Sequence, residues 1–198
     1  MPYGAINYTK GLVIVHGMSE LQLAKYIYTN LHLPIKIYAK NNGRESIQIT
    51  ALSDVLSRSP FKTARTLANE YSIEYERKVG RLKNFKLFTI MDTDDCSREM
   101  RERYISGTIF AGHPLEEYII PIYNISNLED VMMKAGIMGK RIKDSQKGTY
   151  YQKYFPINAE PLSVETINQV RTFAGKLSGI KETNLLEFVE YCLALLPD

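Results

Sequence analysis

The sequence predicts an α/β fold built on a mainly parallel central sheet, and three observations carry that expectation. The first is a β-branched run closed by glycine, Gly11-Leu-Val-Ile-Val-His-Gly17. The second is an amphipathic segment followed by another short apolar run, which together complete a βαβ unit within about thirty residues. The third is a longer apolar run that stops abruptly in carboxylates, Phe85-Lys-Leu-Phe-Thr-Ile-Met-Asp-Thr-Asp-Asp95. Near-continuous apolar runs mark strands buried on both faces, as parallel strands are. The 198 residues suffice for one such domain with a real core and a small addition.

After Gly17, Ser19 reads as a helix N-cap with Gln22 as its capping-box partner, and Leu23, Ala24, Ile27 and Leu31 follow at helical spacing. Pro34-Ile-Lys-Ile-Tyr-Ala39 alternates as a second strand, reached by a right-handed crossover. A polar loop over 41–46 ends in Ser46, read as the cap of a helix carrying Ile49, Leu52, Val55 and Leu56 and broken by Pro60. A second amphipathic segment covers 61–75, and a solvated turn over 76–81 leads into the acidic strand. Residues 97–104 form a short charged helix closed by Ser106-Gly107, and Thr108-Ile-Phe110 reads as a short strand. The apolar run 118–123 contains Pro121, which confines it to a sheet edge. A helix over 128–135 is capped by Ser126 or Asn127 and closed by Gly136.

From residue 159 the pattern changes to two helices, 163–177 and 184–196, with Thr183 as a cap. They are read as a C-terminal helical segment, 158–198, attached to an α/β domain, 1–157. Leu185, Leu186, Phe188, Val189, Leu193 and Leu196 make an apolar surface that either the sheet or a second copy of the chain, a homo-oligomer, must cover.

Hydrophobic residues make up 44% and charged residues 24%, as in ordinary globular proteins, and no apolar run approaches the ~18–20 residues that cross a bilayer. Met-Pro-Tyr-Gly-Ala-Ile-Asn-Tyr lacks the basic start and apolar centre of a signal peptide, so the expected location is cytoplasmic. Cys96 and Cys192 fit that compartment as reduced thiols, with neither a metal-ligand spacing nor a disulfide framework. A net charge of +3 does not by itself announce nucleic acid.

Strand side chains alternate, so Asp92 and Asp94 point the same way and present the hard oxygen donors that Mg²⁺ or Mn²⁺ requires. Asp95 is either a further ligand or the cap of the next helix, and Asp92 and Asp94 also suit a plain turn. If the two apolar strands are parallel neighbours, the turn after Gly17 brings Glu20 to Asp92 and Asp94, a trio that repels itself without a cation. Taken alone, Glu20 is also a first-turn acid, stabilised by about 0.3–1 kcal/mol by the helix dipole. His16 is a base, a soft ligand or merely a strand end. His32 reads as a helix-end residue and His113 as a loop residue. Lys140, Arg141, Lys143, Lys147, Tyr151 and Lys153 supply cations for phosphates and tyrosine for base stacking, as a DNA or RNA contact would, or form a solvated surface. Arg98, Arg101 and Arg103 either add to that face or pair with Glu99 and Glu102.

Val13-Ile-Val-His-Gly-Met-Ser-Glu20 followed by Leu87-Phe-Thr-Ile-Met-Asp-Thr-Asp-Asp95 resembles the Toprim domain, whose pattern is a strand ending in Glu-Gly and a later strand ending in Asp-x-Asp. The likeness is greater to stand-alone Toprim proteins of the RloB and OLD-nuclease kind, whose Gly-x-Thr-Glu turn would here be Gly17-Met-Ser-Glu20. His113-Pro-Leu-Glu-Glu117 resembles that group's Pro-x-x-Glu segment, and Tyr151-Gln-Lys153 its Tyr-x-Lys element. The resemblance covers about residues 9–155. It implies a Toprim-like three-layer fold and a Mg²⁺- or Mn²⁺-dependent nuclease, with Glu20, Asp92, Asp94 and Asp95 toward the metal and His16 or Glu117 as base. It also implies work beside an ATPase partner in phage defence. The family's acid before the first glycine is His16 here, a departure that puts the metal site in question. Two alternatives stand beside it: a non-catalytic Toprim-like module that binds nucleic acid or protein, and a nucleotide-sugar glycosyltransferase using Asp-x-Asp.

Overall fold

Four parallel strands order the protein, and their alternating side chains sort its helices into two layers. The computed structural model describes residues 7–140 and 147–197, the side chains of 147–150 excepted. Along the chain run β1 (Gly11–Val15), α1 (Met18–Asn30), β2 (Ile35–Tyr38), α2 (Leu52–Ser57), α3 (Ala64–Tyr71), β3 (Tyr75–Glu76), β4 (Arg81–Leu82) and β5 (Lys86–Asp92). There follow α4 (Arg98–Ile105), β6 (Ile119–Asn124), α5 (Leu128–Lys134), α6 (Lys147–Tyr154), α7 (Val164–Leu177) and α8 (Leu185–Ala194). The sheet order is β2-β1-β5-β6, all parallel, and β3 and β4 pair as a small antiparallel hairpin.

Side chains two apart share a face of a strand. Val13 and Val15 of β1 and Phe88 and Ile90 of β5 therefore join the core formed with α1, α5, α6, α7 and α8. Leu12, Ile14, Leu87 and Met91 join the other, formed with α2, α3 and α4. The result is a three-layer α/β arrangement. Among the described residues no helix is long and apolar enough to cross a membrane. Cys96 and Cys192 are both free, the latter fully buried.

The C-terminal helices belong to the first of these layers rather than standing apart from it. Phe188 of α8 packs on Phe88 at 5.1 Å between ring centroids, Tyr191 packs on the same ring at 5.0 Å, and the Tyr191 hydroxyl donates to the Lys10 carbonyl at 2.7 Å. Phe173 of α7 meets Tyr26 and Phe155. The core runs unbroken across residues 157 and 158, and the sheet covers the apolar face of α8 within one chain.

Local departures from the sequence reading have local causes. The first helix begins at Met18 with Gly17 as N-cap, and the Gly17 N–H donates to Glu20 Oε2 at 2.9 Å. The reciprocal acid is thus Glu20, while Gln22 donates to Met18 Sδ at 3.5 Å and Ser19 turns inward to Glu129. Ser46 caps nothing; a 3₁₀ turn, Ile49–Ala51, leads into α2 with no side-chain cap. Residues 108–110 form a 3₁₀ turn and not a strand, because Gly107, at φ 75°, turns the chain back as α4 ends. Part of the expected solvated turn at 76–81 is the β3–β4 hairpin. Ser97, rather than Asp95, caps α4, accepting from the Met100 N–H at 3.2 Å.

Candidate metal centre at the sheet rim

Parallel pairing of β1 and β5 aligns Val15 with Ile90, and the His16 N–H donates to the Ile90 carbonyl at 2.9 Å. The turn at Gly17 and the end of the acidic strand therefore leave the sheet side by side at its C-terminal rim, where open α/β sheets bind ligands. Asp92 continues the series Phe88, Ile90 and so points into the layer of α1 and α5. Each of those helices offers an acid from its first turn, Glu20 and Glu129. Together with His16, Ser19, Arg44, Asp94 and Asn127, the three acids line a cavity of about 450 Å³.

The acids are buried to an unusual degree: Glu20 is 1%, Glu129 6% and Asp92 7% exposed. Charged groups are almost never so enclosed without compensation. Burial, then the proximity of Glu20, pushes the Asp92 carboxyl up to about 9, against the opposing pull of the Asn124 amide. That amide donates to Asp92 Oδ1 at 3.0 Å, and its own Oδ1 lies 3.0 Å from the Thr183 hydroxyl, which also reaches the Tyr123 carbonyl at 2.7 Å. Glu129 Oε1 accepts from Ser19 Oγ at 3.1 Å and from the Tyr151 hydroxyl. Burial lowers the pKa of His16, although Asp95 and Asp94 pull the other way.

The same segment that steadies Asn124 finishes the sheet. β6 is the edge strand, as Pro121 requires. Its outer groups are met by residues 182–184: the Ile125 N–H donates to the Glu182 carbonyl at 2.7 Å, and the Asn184 side chain accepts from the Tyr123 N–H and donates to the Pro121 carbonyl, both at 2.9 Å. An amide side chain here does what a neighbouring strand would do, and the exposed edge is blunted.

Of the residues singled out from sequence, His16, Glu20, Asp92 and Asp94 come together. Asp95 does not line the cavity; it is exposed on the turn beyond Asp94, near His16 and Gln48. Glu117 is at the wrong end of the sheet. It precedes β6, whose Ile119 pairs with Leu87 at the start of β5, roughly 17 Å from Asp92 at ~3.3 Å per strand residue. There it is exposed and pairs with Arg81 at 3.7 Å. Tyr151 is 0% exposed, stacked on Phe155 and bonded to Glu129, so its ring has no face to offer a base. Lys140 and Lys153 are exposed, Lys153 beside a different cleft with Tyr26 and Phe173. Lys147 begins α6, while Arg141 and Lys143 lie outside the described residues. The reading from sequence did not select Glu129, Ser19, Asn124 or Arg44. For Glu129 a signal existed in Asn127-Leu-Glu129, an acid in the first turn behind a helix cap.

Among the described residues, no group of three or more His, Cys, Asp or Glu side chains is already arranged to hold a metal ion. The chemistry of the donor set nevertheless fits one: the acids turn hard oxygen donors toward one cavity, and burial with the nearby Glu20 raises the Asp92 carboxyl. No protein-family model, no curated protein and no solved structure matches this chain.

Proposed function

We propose that this protein is a divalent-cation-dependent phosphodiesterase of the Toprim type, acting on DNA or RNA. The observation that supports it most is the convergence of buried Glu20, Asp92 and Glu129, with Asp94, on one cavity at the C-terminal rim of a parallel sheet. Glu20, Asp92 and Glu129 would hold Mg²⁺ or Mn²⁺, with Asp94 approaching from the mouth. When bound, such an ion neutralises charge on a phosphate oxygen and makes a water more acidic. To serve as a ligand Asp92 would have to be ionised, and the Asn124 amide that donates to its Oδ1 would stabilise that carboxylate. Ser19 and Tyr151 fix Glu129 in the same way. His16, held neutral by burial on the cavity wall, is the group able to take a proton from water.

The test is cleavage of a plasmid and of an RNA pool with Mn²⁺ by the wild-type chain and by Asp92→Ala. The expected result is metal-dependent cleavage lost in the variant. Equal cleavage by both refutes the assignment of Asp92, tight nucleic-acid binding without turnover points to a non-catalytic module, and hydrolysis of a nucleotide sugar points to glycosyl transfer.

A further inference from the structure

We infer that Arg44 is the residue that receives the substrate's phosphate; the inference rests on the phosphodiesterase reading above. Among the described residues of the cavity wall, Arg44 is the one arginine, beside Glu20, Asp92, Asp94 and Glu129. Arg44 is exposed and makes no ion pair with any described residue, the four acids included. A guanidinium whose task was to neutralise the acids would sit on one of them, because the planar fork matches a carboxylate as closely as it does a phosphate. Arg44 shares the cavity without doing so. A phosphodiester entering this cavity is anionic, and Arg44 offers it the donor geometry that phosphate oxygens accept.

The backbone that carries Arg44 is held, not loose. Asn41, Asn42 and Gly43 take φ of 45°, 53° and 80°, a left-handed succession that L-residues ordinarily avoid. Glu45 braces it, accepting from Lys40 Nζ at 2.9 Å and from Asn41 Nδ2 at 3.2 Å. Gly43 is seated directly on the β1–α1 turn: a Cβ there would come within 2.9 Å of Leu21 Cδ2 and 3.3 Å of the Met18 Cα. Arg44 therefore departs from a turn fixed against the same residues, 17–20, that present Glu20. Such prior placement raises affinity by reducing what must be ordered on binding.

The experiment compares Arg44→Ala, Arg44→Lys and a control, Arg103→Ala, which alters an exposed arginine of α4 away from the cavity lining. Two quantities are read: Mn²⁺ affinity of the chain alone by electron paramagnetic resonance, and affinity for a phosphorothioate oligonucleotide with Mn²⁺ by fluorescence anisotropy. Arg44→Ala is expected to weaken oligonucleotide binding about tenfold or more, the size of one charge-assisted contact. It should also lower the slope of log Kd against log salt by about one phosphate contact. Mn²⁺ affinity stays as in the wild type, Arg44→Lys recovers part of the loss, and Arg103→Ala shows none. Unchanged oligonucleotide affinity in Arg44→Ala overturns the inference, and so does a change in Mn²⁺ affinity as large as the change in oligonucleotide affinity, which would make Arg44 a counterweight to the acids. A wild-type chain that neither binds Mn²⁺ nor cleaves overturns the phosphodiesterase reading and this inference with it.

Discussion

Asp92 should make the metal-free protein less stable as pH rises, and Asp92→Asn should remove that dependence. Burial and the nearby Glu20 raise this carboxyl from its ordinary value of 3.8 to about 9. Across the interval between those values the folded chain keeps a proton that the unfolded chain has released. The stability contributed by the protonated group is therefore fully present below about pH 4 and is lost as pH rises through about 9, at about 1.4 kcal/mol per pH unit. From pH 6.5 to 8.5 that amounts to about 3 kcal/mol, or roughly 6–12 °C in Tm for a chain of this size. The substitution keeps the shape of the side chain and an acceptor for the Asn124 amide, and it removes the charge that Glu20 opposes. Thermal unfolding followed by circular dichroism in EDTA, at pH 6.5, 7.5 and 8.5, measures the gap between variant and wild type. The gap should widen with pH in favour of the variant, and saturating Mn²⁺ should reverse the order, since an ion that binds only the folded wild type stabilises it alone. Parallel pH profiles for the two proteins would refute the buried-acid account of this site.

The same geometry has other consequences. Thr183→Val frees the Asn124 amide to turn its oxygen toward Asp92, so Mn²⁺ affinity measured by titration should fall about tenfold while Thr183→Ser restores it; equal affinities would mean that Asn124 is oriented without Thr183. Phe188→Ala removes the ring that seals α8 onto Phe88 and should cost about 3–5 kcal/mol in urea unfolding, whereas a loss under about 1 kcal/mol would mean that α8 contributes little to the sheet's cover. Gly43→Ala forces a Cβ into a left-handed residue pressed on Leu21, and a loss of about 1–3 kcal/mol is expected by the same measurement, with an unchanged midpoint counting against the braced turn. Glu117→Ala, at the far rim, should leave metal-dependent cleavage intact, and a marked loss of turnover would contradict the placement of the site.

Where local chemistry decides a structure, the sequence was a good guide. The strand at Gly11–Val15, the acidic strand ending at Asp92 and the Asn127 cap all rest on periodicity or on a hydrogen bond closed within three residues. The meeting of Glu20 with Asp92 also followed, once the two strands were taken as parallel neighbours. Glu117 was put forward by resemblance to a Pro-x-x-Glu segment, and a short motif says nothing about which rim its loop returns to: a residue just before a parallel strand lies at the opposite end from one just after it. Tyr151 was misread because a tyrosine among cations suits a solvated surface, whereas α6 turns that position inward to Glu129.

The amino-acid order alone determined that parallel strands would form and that one of them would carry acids to its C-terminal end, because strand formation and side-chain alternation depend on neighbours a few residues away. Only the folded molecule decided which other groups meet those acids. Ser19 and Glu129 are 110 positions apart, and Thr183 reaches Asn124 across 59. Contacts of that reach are set by strand order and by the docking of α5, α6 and the 182–184 segment, through burial that acts on surfaces without regard to sequence separation.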